Sequence, residues 1–431
     1  MKTKVIKKSY DEVMALPRPA ARRPKKPNIF FRTLVRILAT KDLIPAKFTY
    51  DDSELARAGK GPYLILMNHS CFLDLEIVSK IFYPKPYGIV TTSDGFVGKD
   101  WLMHQLGCIP TQKYVSDLSL IRNMDYMLKK KKTSVLMYPE AGYSFDGCAT
   151  ALPRKMGALL KHLKVPVVHV HTDGAFLRTP LYNGLRNRRV KVSARVRCLL
   201  TPEEIANRSV EELDAVLDEA FGFDHFKWQK ENGIEITEAD RAVGLERVLY
   251  KCPHCLAEGK TVGEGDRLVC HACGKEYLLT PLGEMRATEG ETEISHIPDW
   301  YRWERACVKK ELEENKYLLD TDVTIGVQVD NRAIYMVGEG HLVHDLDGFR
   351  LTGCDGKIAY AQRPLFSYGL NSDYYWYQIA DMICVGDSRC LYYCFPKKEG
   401  VVTKTRLATE ELFKLSIKTV RTAKGTSASA D

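Results

Sequence analysis

The sequence predicts an α/β layered domain, then a cysteine-rich segment and a small antiparallel β domain. Between about residues 61 and 225, short apolar runs alternate with longer mixed runs, which is typical of strands alternating with helices. Two CxxC pairs lie within about 251–280, and about 320–400 is rich in Val, Ile, Tyr and Thr between turn signals. We therefore expect a mixed sheet flanked by helices, a metal-binding ribbon and an antiparallel sheet, in that order.

The composition is that of a packed globular protein. The chain has 431 residues, of which 45% are hydrophobic and 27% are charged. It contains no apolar run of about 18 residues, which argues against a membrane-spanning helix. The first 28 residues lack the apolar stretch of a secretory signal, and the cysteines outside the CxxC pairs show no pairing pattern. We therefore expect reduced thiols and a cytoplasmic protein.

The positive charge is concentrated at the N-terminus. Residues 1–36 hold eleven Lys and Arg against two acids, a local charge of +9, which leaves the rest of the chain at −1 of a net +8. Four prolines in this segment predict an extended or irregular arm. Aromatic residues do not interleave with the basic ones, so we expect no nucleic-acid partner.

An amphipathic helix is predicted directly after the arm. As a helix, this segment would place one apolar stripe on a single face, formed by Phe30, Phe31, Leu34, Ile37 and Leu38. We expect residues 1–40 to attach the protein to an anionic bilayer, as a peripheral protein on the inner face of the cell membrane. The alternative is a solvated tail and a helix that packs on its own domain.

The α/β domain is expected to span 41–235, with elements at the following positions. We predict strands at 63–67, 87–91, 134–138, 165–170 and 190–200, and helices at 73–82, 102–106, 117–130 and 155–163. Another helix should start at Thr201, where a hydroxyl cap precedes Pro202 and two acids.

The rest of the chain is divided where its composition changes. A helical linker at 237–250 and a zinc ribbon together span 236–280. A helix at 300–319, strands within 320–400 and a closing helix at 409–420 together span 281–421, before a disordered tail at 422–431. The strands and closing helix resemble a pleckstrin-homology-like barrel, a likeness of fold that says little about function. The aromatic run at 374–377 is more typical of core packing than of a binding platform.

A histidine and an aspartate follow the first strand of the α/β domain. His69 is expected at the carboxyl end of that strand, where α/β sheets expose ligands, with Asp74 at the start of the next helix. A carboxylate on one ring nitrogen fixes the tautomer and leaves the other nitrogen free to take a proton from a hydroxyl. The attacking hydroxyl would then belong to the substrate. From the spacing alone, a polar pair with no catalytic role explains these residues equally well.

The motif Asn68-His69-x4-Asp74 resembles the signature of the lysophospholipid acyltransferases, which include the 1-acylglycerol-3-phosphate acyltransferases. Similar blocks follow in the family's order at 106–113, 138–147, 153–157 and 165–168, so the resemblance covers about 60–200. It implies transfer of a fatty acyl group from acyl-CoA or acyl carrier protein to the hydroxyl of a lysophospholipid-like acceptor.

The resemblance also implies roles for individual residues. His69 would be the general base and Asp74 the residue that orients it. The positions that shape the acceptor site map to Asn68, Lys113, Glu140, Gly142, Ser144 and Lys155. Lys113 and Lys155 suit an acceptor phosphate as point charges.

The third block departs from the family pattern. Ala141, Gly142 and Tyr143 stand where the family usually has Gly, Thr and Arg. A phenol cannot replace a bidentate cation on a phosphate, so we expect weak activity with lysophosphatidic acid. The departure also leaves a second function open: a catalytically weak, membrane-associated scaffold that binds partners through its zinc ribbon and β domain.

Four cysteines predict a structural zinc site. Cys252 and Cys255 form one CxxC pair, Cys270 and Cys273 form the other, and the short segment 256–269 separates them. Four thiolates at this spacing can surround zinc as a tetrahedron and leave no open position for catalysis. Metal binding would supply the folding energy of so short a segment. A redox role fits poorly, because no βαβ unit surrounds either pair.

A second possible metal site involves two histidines. His169 and His171 fall on one face of a predicted strand, which would suit metal ligands. We expect them instead to be core or site-edge residues.

Overall fold

The N-terminal segment of the computed structural model is anchored to the C-terminal sheet. The structure describes residues 3–115, 117–153 and 155–427, with side chains to residue 418. Its first elements are β1 (Val5–Lys7), α1 (Tyr10–Met14) and α2 (Ile29–Leu43). Strand β1 pairs in parallel with residues 334–336, and Val13 of α1 is fully buried. The expected extended arm therefore contains two ordered elements, because Val5 and Ile6 form an edge strand and Ser9 with Glu12 caps α1.

The α/β domain contains a seven-stranded mixed sheet. Its strands are β2 (Thr49–Glu54), β3 (Leu64–Met67), β4 (Tyr87–Thr92), β5 (Cys108–Thr111), β6 (Ser134–Met137), β7 (Val167–Asp173) and β8 (Ser193–Leu200). The order is β2-β8-β7-β3-β6-β4-β5. All neighbouring pairs are parallel except β7 and β8. This architecture confirms the predicted mixed sheet and places β3 at its centre.

Helices cover both faces of this sheet. They are α3 (Leu73–Phe82), α4 (Asp100–Gln105), α5 (Leu118–Asp125), α6 (Met156–Leu163), α7 (Ala175–Arg178), α8 (Pro202–Asn207), α9 (Val210–Ala220) and α10 (His225–Glu231). Alternate residues of β3 point to opposite faces of the sheet, each covered by an apolar cluster. Ile65 packs in the cluster that contains Ile77 of α3, whereas Leu66 packs in the cluster that contains Leu160 of α6. Strands β2 and β5 were not predicted, because β2 is exposed and acidic and β5 contains Pro110.

The cysteine-rich segment folds as a four-stranded antiparallel sheet. Its strands are β9 (Thr261–Glu264), β10 (Arg267–Cys270), β11 (Glu276–Leu279) and β12 (Met285–Ala287), so the ribbon extends beyond the expected end at 280. The prediction of a helical linker is wrong, because residues 237–250 form turns and one 3-10 turn at Leu245–Arg247. Gly244, at φ +87 and packed on the Tyr182 carbonyl, interrupts any helix there.

The C-terminal region is an antiparallel sheet between two helices, as the sequence predicted. Its elements are α11 (Ile297–Glu313), β13 (Leu319–Gln328), β14 (Ile334–Asp345), β15 (Gly348–Gly353), β16 (Ile358–Gln362), β17 (Asn371–Trp376), β18 (Ala380–Gly386), β19 (Leu391–Pro396) and α12 (Val401–Ser427). The strand order is β16-β15-β14-β13-β19-β18-β17, with β1 added beside β14. The likeness to a pleckstrin-homology barrel stays a prediction.

Both helices differ from their predicted bounds. Helix α11 starts earlier than expected and ends at Glu313 rather than 319. Helix α12 begins at Val401, and its backbone continues to Ser427, beyond the predicted start of a disordered tail at 422. Residues 428–431 of that predicted tail lie outside the described residues.

One apolar core joins the α/β domain to the C-terminal region. It includes Phe145 and Phe176 from the former, and Trp300, Val323 and Leu407 from the latter. This packing brings β17 beside the loop that follows β6. In the described part of the chain, no helix combines the length and apolar content needed to cross a bilayer.

Candidate active site

His69 lies directly after β3, at the carboxyl end of the central parallel strand. Its Nδ1 is 2.9 Å from Oδ2 of Asp74 in the first turn of α3. The imidazole is 19% exposed, whereas the Asp74 side chain is fully buried. Among the described residues, none hydrogen-bonds Nε2. A carboxylate on Nδ1 favours the tautomer with the proton on Nδ1, so Nε2 is free to accept a proton.

The Asp74 carboxylate is held by the loop that it closes. Its Oδ2 also accepts hydrogen bonds from the backbone N–H of Ser70, at 2.7 Å, and of Cys71, at 3.0 Å. These bonds fix the carboxylate at the N-terminus of α3, where the helix dipole stabilises negative charge. The predicted His–Asp pair therefore forms, and two backbone hydrogen bonds hold the Asp74 carboxylate in place without a substrate.

Glu140 connects this loop to the loop after β6. One carboxylate oxygen accepts a hydrogen bond from His69 N–H at 3.0 Å, and the other accepts one from Thr150 N–H at 3.0 Å. Burial raises the pKa of Glu140 to about 7, although these hydrogen bonds oppose the shift. Glu140 therefore positions the backbone of the loop that carries His69.

Two tyrosines enclose the imidazole. The Tyr138 ring stacks on His69 with centroids 3.9 Å apart, and the Tyr143 ring is tilted against it at 4.4 Å. Burial raises the pKa of both phenols well above the usual value, so both stay neutral. These contacts restrict rotation of His69. Sequence reasoning named Tyr143 only as a departure from the family pattern and gave Tyr138 no role.

Asn68 and Ser144 bond to neighbouring loops. The Asn68 amide donates to the Thr172 hydroxyl at 3.1 Å and accepts from Thr172 N–H at 3.1 Å, which ties β3 to β7. The Ser144 hydroxyl donates to the Cys148 carbonyl at 2.6 Å, and Ser144 N–H donates to the His69 carbonyl at 3.1 Å. Both side chains are fully buried, so their contacts support the loops around His69.

The two predicted phosphate-binding lysines lie in different settings. Lys113 follows β5 and is half-buried, with Nζ 3.9 Å from where a Cβ on Gly142 would lie. Lys155 is exposed before α6 and has φ +67. Its backbone N–H donates to Asp214, and its ammonium contacts no described residue through a hydrogen bond or ion pair. The structure thus brings Lys113, but not Lys155, next to the loop within 138–147, the third block of the family pattern.

The C-terminal β domain contacts the segments that follow β4 and β6, and the sequence did not predict these contacts. Tyr374 of β17 stacks on Phe145, with centroids 4.3 Å apart. Gln328 of β13 donates to the Ser93 carbonyl at 2.9 Å, and Gly98 N–H donates to the Asn331 carbonyl at 2.8 Å. No local sequence pattern encodes these contacts, because the two partners of each lie in different domains, far apart along the chain.

Helix α2 carries an exposed apolar face. Helix α2 runs antiparallel to α3, because Asp42 lies beside Glu76 in the first turn of α3 and Arg32 bonds Pro84 beyond its end. The predicted stripe is largely exposed: Phe30 by 65%, Ile37 by 61% and Leu38 by 58%. Ile44 after α2 and Phe72 before α3 are also exposed, by 73% and 61%.

Four cysteines form the predicted cluster. The sulfur atoms of Cys252, Cys255, Cys270 and Cys273 all lie within 4.8 Å of one another. The Cys252–Cys273 and Cys255–Cys270 separations are 3.9 and 3.7 Å. Four sulfurs at about 2.3 Å from a central zinc would be about 3.8 Å apart, so this donor set fits zinc.

His169 and His171 lie in a different place and behave as expected: His169 is buried against Phe221, and His171 pairs with Asp173.

One comparison with known proteins matches the region of the chain that contains this site. A family model described as Acyltransferase matches residues 47–172. The crystal structure of the 1-acyl-sn-glycerophosphate (LPA) acyltransferase PlsC from Thermotoga maritima is similar at 15% identity and a TM-score of 0.35, covering 44% of this chain and 77% of that one. A likeness this remote carries no argument, and no curated protein matches the sequence. Residues 47–172 therefore match the acyltransferase family, and they contain His69 and Asp74.

Proposed function

We propose that this protein transfers a fatty acyl group from a thioester, acyl-CoA or acyl carrier protein, to the hydroxyl of a lysophospholipid-like acceptor. The observation that carries the proposal is the 2.9 Å contact between His69 Nδ1 and Asp74, at the carboxyl end of β3 and within the acyltransferase match. In this assignment His69 is the general base and Asp74 orients it.

The proposed reaction is a direct transfer between the two substrates. Nε2 of His69 takes the proton of the acceptor hydroxyl as its oxygen attacks the thioester carbonyl carbon. The carbon–sulfur bond then breaks, and the imidazolium returns the proton to the departing thiolate. Asp74 stabilises the transient imidazolium. No metal is needed in this step, because the thioester is already activated.

A protein nucleophile is disfavoured by the surroundings of His69. The nearest cysteine in sequence, Cys71, is fully buried, and burial together with the Asp74 charge raises its thiol pKa far above the usual value. A protonated buried thiol is a poor nucleophile. We therefore assign the attack to the acceptor hydroxyl rather than to Cys71.

We further propose that the exposed face of α2 binds an anionic bilayer. Phe30, Ile37 and Leu38 would enter the interface, and Lys41 on the same helix is exposed to acidic headgroups. Phe72 is exposed three residues after His69 in the chain, and it would enter the same interface if this surface binds the bilayer. This proposal includes a peripheral location on the inner face of the cell membrane.

The cysteine cluster is proposed to hold a structural zinc ion. Each CxxC loop turns back in the same way: Leu256 N–H donates to the Cys252 carbonyl at 3.0 Å, and Gly274 N–H donates to the Cys270 carbonyl at 2.8 Å. Four sulfur ligands would leave no open position for substrate.

The test is thioester consumption by the purified protein with a panel of lysolipids, compared with His69→Ala. We expect acceptor-dependent thiol release and formation of the diacyl product by the native protein. The variant should lose at least about 10³-fold in kcat while retaining its thermal unfolding profile. Equal, low activity of both proteins would instead favour a membrane-associated scaffold, the function that the altered third block leaves open.

A further inference from the structure

Phe145, in the loop after β6, is held by two side chains of the C-terminal region. It is 2% exposed and belongs to the apolar core that the two domains share. The guanidinium carbon of Arg406 on α12 lies 4.2 Å from the centroid of its ring. The ring of Tyr374 on β17 is stacked on it at 4.3 Å. The C-terminal region therefore contacts this loop through both a cation and an aromatic ring.

Arg406 is itself fixed by the helices α11 and α12. Its side chain is 5% exposed, and its Nε donates to Glu410 Oε1 at 3.3 Å, one turn later on α12. The other oxygen of Glu410 accepts a hydrogen bond from Arg305 of α11 at 2.6 Å. A guanidinium is costly to bury unless an opposite charge and favourable contacts compensate. Glu410 supplies that charge, and the Phe145 ring supplies the contact.

The two residues before Phe145 both contact His69. The Tyr143 ring is tilted against the imidazole at a centroid distance of 4.4 Å, and Ser144 N–H donates to the His69 carbonyl at 3.1 Å. Because the three residues are consecutive, a displacement of Phe145 moves both contacts. Arg406 can therefore influence the imidazole without touching it.

We propose that Arg406 is a positioning residue, supplied by the C-terminal region, for the acyl transfer assigned to His69. By holding the Phe145 ring, it fixes the backbone of residues 143–144 and so keeps the imidazole in its reactive orientation. This inference rests on the proposed function and gives the C-terminal region a part in it. Arg406 takes no part in moving the proton.

The first test is a double-mutant cycle on kcat, with the variants Arg406→Met, Phe145→Leu and the two combined. Arg406→Met should lower kcat by about 10- to 100-fold, because a small misplacement of a catalytic group is costly. The KM for the thioester should change by less than about threefold. In the Phe145→Leu background, Arg406→Met should change kcat by less than about threefold, since the residue through which it acts is gone.

A second readout follows the imidazole without turnover. Diethyl pyrocarbonate modifies histidines, and the rate at His69 can be followed by mass spectrometry of its peptide in the absence of substrate. Arg406→Met should raise this rate at least about threefold, because a loosened Tyr143 uncovers the ring. His171, which is 17% exposed against 19% for His69, is the internal reference, and its rate should not change. General destabilisation would instead raise both rates together.

Arg247→Met is the matched control. The Arg247 guanidinium also lies 4.2 Å from an aromatic ring, that of Tyr375, and it also pairs with an acid, Asp381. Tyr375 packs near Gly184, where a Cβ would lie 3.8 Å from its ring. The control should therefore lose the same kind of contact while keeping kcat within about threefold and the reactivity of His69 unchanged.

Several outcomes would overturn the inference. A native-like kcat of Arg406→Met, an undiminished effect of this change in the Phe145→Leu background, or equal acceleration at His69 and His171 would refute it while leaving acyl transfer in place. Absence of acyl transfer by the native protein would refute the proposed function, and the His69 rate would still show whether Arg406 holds the loop. If Arg406→Met did not fold, Phe145→Leu would decide, because native-like kcat and His69 reactivity of that variant would refute the inference.

Discussion

Replacing Asp74 with asparagine isolates the charge behind His69. Oδ2 of Asp74 accepts two backbone N–H bonds, from Ser70 and Cys71, so the amide oxygen of the variant should take this position. The amide nitrogen would then lie where Oδ1 is buried without a hydrogen-bond partner among the described residues. The substitution should therefore keep the loop and the orientation of the imidazole while removing the negative charge, and the buried amide N–H groups without an acceptor should cost about 1 to 3 kcal/mol of folding stability.

The size of the effect follows from the geometry. Unit charges 2.9 Å apart interact by about 6 kcal/mol at an effective dielectric constant of about 20. The variant keeps a neutral hydrogen bond, so about 4 to 6 kcal/mol of imidazolium stabilisation is lost. At about 1.36 kcal/mol per factor of ten, kcat should fall by about 10³- to 10⁴-fold. The Michaelis constants should change little, because Asp74 is buried away from both substrates.

The assay is thiol release at saturating donor and acceptor, with thermal unfolding measured in parallel. Asp173→Asn is the matched control, because Asp173 also pairs with a histidine, His171, at 3.1 Å. This control should keep kcat within about 3-fold. If Asp74→Asn retained kcat within about tenfold of the native protein, the assigned role of the pair would be refuted.

The structure supports four further predictions. Cys270→Ser should abolish binding of one zinc per chain, measured by elemental analysis, and make residues 251–287 sensitive to protease; zinc content equal to that of the native protein would contradict the site. Phe30→Asp with Ile37→Asp should reduce sedimentation with anionic vesicles by at least about tenfold while sparing activity on a dispersed short-chain acceptor; unchanged sedimentation would exclude the α2 face. Burial raises the pKa of Glu140 to about 7 in the folded protein, above its value in the unfolded chain. Protonated Glu140 therefore stabilises the fold fully at pH values below the unfolded-state pKa, and this stabilisation is lost as the pH rises through about 7. Glu140→Gln should therefore flatten the fall in the free energy of unfolding between about pH 4.5 and 7, and an unchanged slope would exclude Glu140 as its source. Tyr143→Arg should raise the weak turnover expected with lysophosphatidic acid relative to other acceptors, and no change in that ratio would remove Tyr143 as its cause.

Local sequence patterns predicted the positions of His69, of α3 and of the cysteine cluster. The apolar run of β3, followed at once by polar residues, placed His69 at a strand end, and α3 was predicted with its observed bounds. The cysteine spacing likewise predicted a cluster that the structure forms. Each of these features is encoded within one short stretch of the chain, so periodicity and spacing are sufficient to find it.

Features that depend on tertiary contacts were not predictable in this way. Lys155 was predicted to bind a phosphate together with Lys113. In the structure, Lys155 itself has a left-handed backbone conformation and its N–H donates to Asp214, and its side chain is exposed before α6. The prolines of the N-terminal arm predicted an extended or irregular segment, which residues 17–28 form, whereas β1 gains its stability from pairing with β14, which no local pattern encodes. Phe145 and Tyr374 belong to different domains, and only the packing of β17 on the α/β domain brings their rings together.

The central claim is that the acceptor's own hydroxyl attacks the thioester, with His69 as the base. Its most direct test is a single turnover with a labelled acyl donor, in which the masses of the intact protein and of the lipid are measured in one reaction. We predict that the label appears in the diacyl lipid, that none is attached to the protein with or without acceptor, and that His69→Ala forms no product on this timescale. An acylated protein intermediate, or product formation by His69→Ala at the native rate, would contradict the claim.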